Sequence, residues 1–190
     1  MQPTQMKIAY ILFDGITWLD LIGLYDPISR LKSHNYRPDL TWDFCAISPS
    51  AKDNFGLEVK ATCLRPSLAA YDALIIPGGH GTRQLKEDKF FIDWIKSAAP
   101  SKYKISVCTG SLILGAAGFL AGKIATTNFR EYESLKPYCR QVSTDRIVED
   151  NDTITAAAVT SSIDLGLYLC RKWAGRDAER EIRMLIDYHG

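Results

Sequence analysis

Nearly unbroken apolar runs alternate along this chain with segments whose apolar residues recur every three or four positions. Residues 7–13 (KIAYILF) and 72–79 (DALIIPGG) are of the first kind, and they read as strands covered on both faces of a sheet. Residues 40–48 (LTWDFCAIS) and 104–108 (KISVC) predict two more strands, and 56–63 (GLEVKATC) a short hairpin or edge element. Within 88–99, Phe91, Trp94 and Ile95 share one helical stripe, the pattern of a core-facing helix. Further helices are predicted over 109–118, 130–138, 161–174 and 177–188, with Gly175 stopping the third. A short strand falls at 123–127, and two strands flank an Asp-Asn turn within 141–158. Pro27 suits a helix only in or near its first turn, so the first helix is expected to start around Ile22 to Leu24. Strands alternating with amphipathic helices predict an α/β sheet with helices on both faces, in a single domain over residues 1–190.

In such sheets ligands bind beyond the carboxyl ends of the strands. Segments 14–20, 77–82 and 107–110 reach that edge, and the chemically interesting side chains cluster in them. The sharpest feature is SVCTG, with Ser106 and Gly110 two residues to either side of Cys108. Small neighbours let a strand turn tightly into a helix, as in the G-x-S-x-G elbow of hydrolases. A cysteine at such a corner is either buried packing or a nucleophile. At a helix N-terminus, free N–H groups and the dipole favour thiolate, so the second reading expects a lowered thiol pKa. Spacing leaves both readings open.

Composition narrows the partners. The formal charge is +1, and basic residues are interleaved with acids, as in RKWAGRDAEREIR. Nucleic-acid binders concentrate their positive charge, so none is expected here. No apolar run reaches membrane-spanning length. The opening MQPTQMKIAYILF passes straight into a strand, so no secretory signal is expected. Cys45, Cys63, Cys108, Cys139 and Cys170 are an odd count without a C-x-x-C pair, which points to a reducing cytoplasm. The four other than Cys108 read as packing, with Cys63 and Cys139 the more exposed. His34, His80 and His189 lack metal-ligand spacing, so no metal or cofactor is expected.

IPGGHGT, SVCTGSLILGAAGFLAGKIATT and the early WLDLIG together resemble the ThiJ/PfpI family of the class I glutamine-amidotransferase-like superfamily, and within it the isocyanide (isonitrile) hydratases. The resemblance covers nearly the whole chain and implies a flavodoxin-like sheet and a homodimer. It implies that Cys108 is the nucleophile and Asp20 the acid beside it. Gly78 and Gly79, with the N–H of Thr109, would form an oxyanion-type pocket. Asn128 departs from the pattern, since many relatives carry His after the Thr-Thr pair. Ala156, Ala157 and Ala158 stand where hydratases have glycines.

Several residues keep two readings. Asp20 is either a helix cap or a buried carboxyl whose pKa is raised by burial and by a neighbouring thiolate. His80 is a solvent-exposed loop imidazole or a base for Cys108, and Trp18 walls a pocket or packs in the core. Gly78 and Gly79 form a plain turn or supply donors to developing negative charge. Asp164 reads as support for its helix N-terminus. The activity these residues suggest is addition of water to a small electrophilic carbon, with an isocyanide as substrate. Glyoxalase- or deglycase-like action on reactive carbonyls, a cysteine redox sensor and a small-molecule binding protein are the alternatives.

Overall fold

A computed structural model describes residues 5–190; residues 1–4, part of the stretch read for a secretory signal, lie outside it. Strand β1 (Lys7–Ile11) is apolar because both its faces are covered, and Ile8 to Ile11 are all buried. Helix α1 (Trp18–Ser33) follows, and β2 (Thr41–Ala46) returns parallel to β1. A separate antiparallel hairpin, β3 (Ser50–Lys52) with β4 (Glu58–Lys60), precedes β5 (Cys63–Leu64), which pairs with β2. The chain then crosses β1. On its other side come β6 (Ala73–Ile76), α2 (Thr82–Leu85), α3 (Lys89–Lys96), β7 (Tyr103–Val107) and α4 (Gly110–Ala116). An excursion of β8 (Ile124–Ala125), α5 (Tyr132–Leu135) and β9 (Gln141–Val142) leads to β10 (Ile147–Asp150) and β11 (Thr153–Ala156). Two helices, α6 (Ser161–Ala174) and α7 (Arg176–Leu185), close the chain.

The seven-stranded sheet runs β10-β11-β7-β6-β1-β2-β5, and its pairings are parallel except that between β10 and β11. This is the flavodoxin-like α/β architecture. Strand order reverses direction at β1 and β6, a topological switch point of the kind that gathers ligands in open α/β sheets. The adjacent strands β1, β6 and β7 therefore deliver their carboxyl ends to one place. The α3 stripe is as expected, with Phe91, Trp94 and Ile95 buried and Asp88 capping the helix by accepting from the N–H groups of Phe90 and Phe91. Among the described residues no helix is long and apolar enough to cross a membrane.

Two elements differ from their expected form. Helix α1 starts at Trp18 rather than around Ile22 to Leu24, and Pro27 lies in its interior. Pro27 has no N–H to offer the Gly23 carbonyl, so one helical bond is forgone there. The compensation is close packing: a Cβ on Gly166 of α6 would lie 2.8 Å from the Gly23 oxygen and 3.0 Å from Pro27 Cγ. Residues 130–138 form no continuous helix; two 3₁₀ turns flank the four residues of α5, and Pro137 lies in the second.

The α1–α6 contact leaves no room for a side chain at Gly166. Gly166→Val is expected to destabilise the fold by about 1–3 kcal/mol through overpacking, read as a lower urea midpoint at unchanged slope.

Candidate active site

The corner after β7 is made by a residue that seldom adopts its conformation. Cys108 has φ +54, in the left-handed region, which a side chain occupies only when its surroundings hold it there. Its N–H donates to the carbonyls of Ala156 (2.9 Å) and Ala157 (2.8 Å). Its own carbonyl accepts from Ser111 Oγ (3.1 Å) and Thr127 Oγ1 (2.9 Å). Gly110 is required, because a Cβ there would fall 2.2 Å from the Ile76 carbonyl oxygen. The small residues of SVCTG thus permit the bend, and the Ala156–Ala157 carbonyls clamp it.

The loop after β1 is stitched to the turn after β6. Thr17 N–H donates to the Gly78 carbonyl (2.9 Å), and Ile16 and Gly79 form a bridge. That stitching sets the first turn of α1, and with it Asp20, against the Cys108 corner. Asp20 is fully buried, and its Oδ2 accepts from Gly78 N–H at 2.9 Å. A Cβ on Gly78 would lie 2.7 Å from Asp20 Oδ2, 2.8 Å from Cys108 Cβ and 2.8 Å from Thr109 N. Glycine is the residue that lets these three groups share one small volume.

Burial raises the Asp20 carboxyl from 3.8 to about 7, against the opposing pull of the Gly78 N–H and of Cys108. Burial, and then the charge of Asp20, push the Cys108 thiol up to about 11. The lowered thiol pKa expected from a helix N-terminus is therefore corrected. The α4 helix is one of seven residues, and its end lies in a corner where Cys108 is only 5% exposed. Desolvation outweighs the dipole there.

The expected oxyanion donors are largely engaged. Gly78 N–H is held by Asp20, and Gly79 N–H donates to Thr109 Oγ1 at 3.0 Å. Of the three, the Thr109 N–H faces the Cys108 sulfur, while the Thr109 hydroxyl donates to the Gly79 carbonyl at 3.1 Å. Asn128 enters the site in a way its spacing did not suggest. Its Nδ2 donates to Cys108 Sγ at 3.4 Å, while its Oδ1 accepts from Arg130 N–H at 3.0 Å, which fixes the amide's orientation. His80 is exposed on the turn, and no hydrogen bond of its ring is found among the described residues. Trp18 is buried, with its indole N–H donating to the Leu57 carbonyl at 3.1 Å. Asp164 accepts from Arg146 and from Tyr188, away from the sulfur. Sequence reasoning missed Arg83, which no motif marked and which ties the Gly79 carbonyl to Glu131; Thr127 stands in the Thr-Thr pair without a role being given to it from sequence. Among the described residues no three His, Cys, Asp or Glu side chains gather as a metal site requires.

Chemically the corner offers a buried sulfur, one carboxyl that titrates near neutrality, and N–H donors aimed at the sulfur. Such a set can add a thiol across an electrophilic carbon and move one proton.

The profile of the DJ-1/PfpI family matches residues 6–172. Isonitrile hydratase of Pseudomonas putida is 35% identical over 185 residues, covering 96% of this chain and 78% of that protein. A crystal structure of a ThiJ/PfpI family protein from Pseudomonas syringae superposes with a TM-score of 0.88 at 27% identity, over 98% of this chain and 76% of that one. Drosophila melanogaster DJ-1beta shares the fold, with a TM-score of 0.83 at 16% identity over 98% of this chain and all of its own.

The raised carboxyl makes stability depend on pH. Between about pH 4 and 7 the unfolded chain has released the Asp20 proton while the folded chain still holds it, so this contribution is greatest at low pH and is lost as pH rises. In Asp20→Asn this loss is expected to vanish. The wild type should fall relative to the variant by about 4 kcal/mol from pH 4 to 8, as measured by urea unfolding at each pH. The same substitution removes the anion beside the sulfur. Thiolate ultraviolet absorption, taken as the difference from Cys108→Ala, should then show the Cys108 pKa falling below about 11.

Proposed function

The chain belongs to the DJ-1/PfpI family, and within it we propose that it is a cysteine-dependent hydratase that adds water to a small electrophilic carbon, with an isocyanide as its substrate. The observation that carries this reading is the buried Asp20 carboxyl beside Cys108, with Gly78 held between them. The similarity to an isonitrile hydratase along 96% of the chain supports it.

The raised thiol assigns the protons. At neutral pH the sulfur is protonated and Asp20 is poised to ionise. As Cys108 Sγ bonds to the terminal carbon of the isocyanide, ionised Asp20 takes the thiol proton and hands it to that carbon, giving a thioimidate. Thr109 N–H and Asn128 Nδ2 stabilise the sulfur while it carries negative charge. Asp20 then draws a proton from water, whose oxygen attacks the thioimidate carbon. That proton goes to the substrate nitrogen, the C–S bond breaks, and the leaving sulfur regains a proton from the attacking water's hydroxyl as the formamide carbonyl forms. One water is consumed, and the N-substituted formamide leaves. This reading carries with it a homodimer, from the family resemblance, and a cytoplasmic setting, from the odd number of cysteines without a C-x-x-C pair.

Turnover of an alkyl isocyanide to its formamide, followed by disappearance of the isocyanide infrared stretch, tests the reading. Cys108→Ala should have no activity, and Asp20→Asn should lose about 10²- to 10⁴-fold in kcat, the usual worth of general acid–base help. Wild-type activity should rise through about pH 7 as Asp20 ionises. A wild-type protein that consumes methylglyoxal but no isocyanide would replace this reading with the carbonyl one.

A further inference from the structure

A pair of sulfurs separate from Cys108 lies at the free edge of the sheet. Cys45 of β2 and Cys63 of β5 are register partners on neighbouring parallel strands, so their side chains leave the same face. Such partners sit about 4.8 Å apart across the ladder, inside the window of about 4.4–6.8 Å between Cα atoms that a disulfide spans. Both are free thiols. Cys45 is buried, while Cys63 is half-buried on a strand of two residues. That strand is tied to β2 by bonds from Thr62 N–H to Phe44 O (2.9 Å) and from Arg65 N–H to Ala46 O (2.8 Å). A two-residue edge strand can shift by the fraction of an ångström that bonding its sulfur to a neighbour requires.

A chain of polar groups leads away from the inner thiol. Cys45 Sγ donates to Tyr71 OH (3.5 Å), and Tyr71 OH donates to Asp43 Oδ2 (2.8 Å). Asp43 in turn pairs with Lys7 Nζ at 2.9 Å, and Lys7 Nζ also lies 4.5 Å from the centre of the Tyr71 ring. Nothing in the Cys108 chemistry uses this cluster.

We infer that Cys45 and Cys63 are a redox pair that forms a reversible cross-strand disulfide by exchange with a small disulfide of the glutathione type. The half-buried Cys63 reacts first. Its thiolate attacks one sulfur of the small disulfide, the S–S bond breaks, and one small thiol leaves. Cys45 then attacks the Cys63 sulfur of the mixed disulfide, and the second small thiol leaves with the bonding pair. The Cys45 proton passes to Tyr71 as the Tyr71 proton moves to Asp43, which opens to water. Two protein thiols are oxidised and one small disulfide is reduced to two thiols. Burial raises the Cys45 thiol, and the hydrogen bonds through Tyr71 to Asp43 give its proton a path toward the surface. A bond of this kind, on an exposed short strand, belongs to the labile and reversible class.

Cys139 supplies an internal control, since it is half-buried too but its sulfur contacts the Leu135 carbonyl and no second thiol. The test incubates the purified chain with glutathione disulfide, quenches in acid, alkylates in denaturant and maps peptides without reductant. The expected result is a Cys45–Cys63 linked peptide, reversed by a dithiol and absent in Cys45→Ser and Cys63→Ser. Cys45→Ser should retain glutathione on Cys63, as wild type does on Cys139. Glutathione resting on Cys63 of the wild type while Cys45 is alkylated, linkage of Cys63 to a different cysteine, or no reaction at Cys63 would each overturn the inference. The wild-type peptide map alone separates these outcomes, even if a variant folds poorly.

Discussion

One hydrogen bond organises the candidate site: the Gly78 N–H donating to the Asp20 carboxyl. It joins the first turn of α1 to the turn after β6, and the residue that makes it is the one whose missing Cβ admits Cys108 and Thr109 to the same space. A carboxylate buried without such a donor would be pushed far above neutrality. One buried with several donors would sit well below it. A single backbone donor, with Oδ1 buried and unpartnered, leaves Asp20 near the middle, where it can both hold and release a proton. The cost is borne by the rest of the fold, which keeps the first turn of α1 rigid through its long contact with α6.

The same burial works against the sulfur. Burial and the neighbouring Asp20 charge both favour the protonated thiol. Thiol and carboxyl form a neighbouring pair in which burial favours the protonated form of both, and in which the carboxyl is the readier of the two to ionise. Coupled groups titrate as a pair, and here the pair's first ionisation belongs chiefly to Asp20. The left-handed backbone at Cys108 aims the sulfur, and the clamp from Ala156 and Ala157 keeps that aim while the protonation state changes.

Much of this is legible in the chain itself. Strands β1 and β6 read correctly because both their faces are buried, and burial leaves an unbroken apolar signature. SVCTG reveals the corner because close backbone approach demands small residues. What does not read comes from contacts between distant elements. Pro27 misplaces the start of α1, since tolerance of an interior proline depends on Gly166, far along the chain. The direction of the thiol pKa misleads because dipoles are local, and legible, while desolvation is a property of the assembled core. The Gly78 and Gly79 donors look free for substrate in the sequence, although a side-chain carboxyl and a hydroxyl already take them. The Cys45–Cys63 register is hidden because two residues of strand carry no periodicity.

Asn128 is the residue that decides what chemistry remains. An imidazole in its place would offer a second titrating group, able to protonate a poor leaving group while Asp20 did other work. The amide cannot take a proton, and the Arg130 N–H on its Oδ1 fixes Nδ2 as the group facing the sulfur. With His80 turned out to solvent, the proton traffic at the corner falls to one carboxyl. Amide cleavage, which must deliver a proton to a departing amine while the nucleophile is also managed, is poorly served by such a set. Addition to a carbon that needs no leaving group at the first step asks for one proton moved from sulfur to substrate, and a single carboxyl near its midpoint suits that demand. The departure from the family pattern at this one position thus favours the proposed addition over amide cleavage.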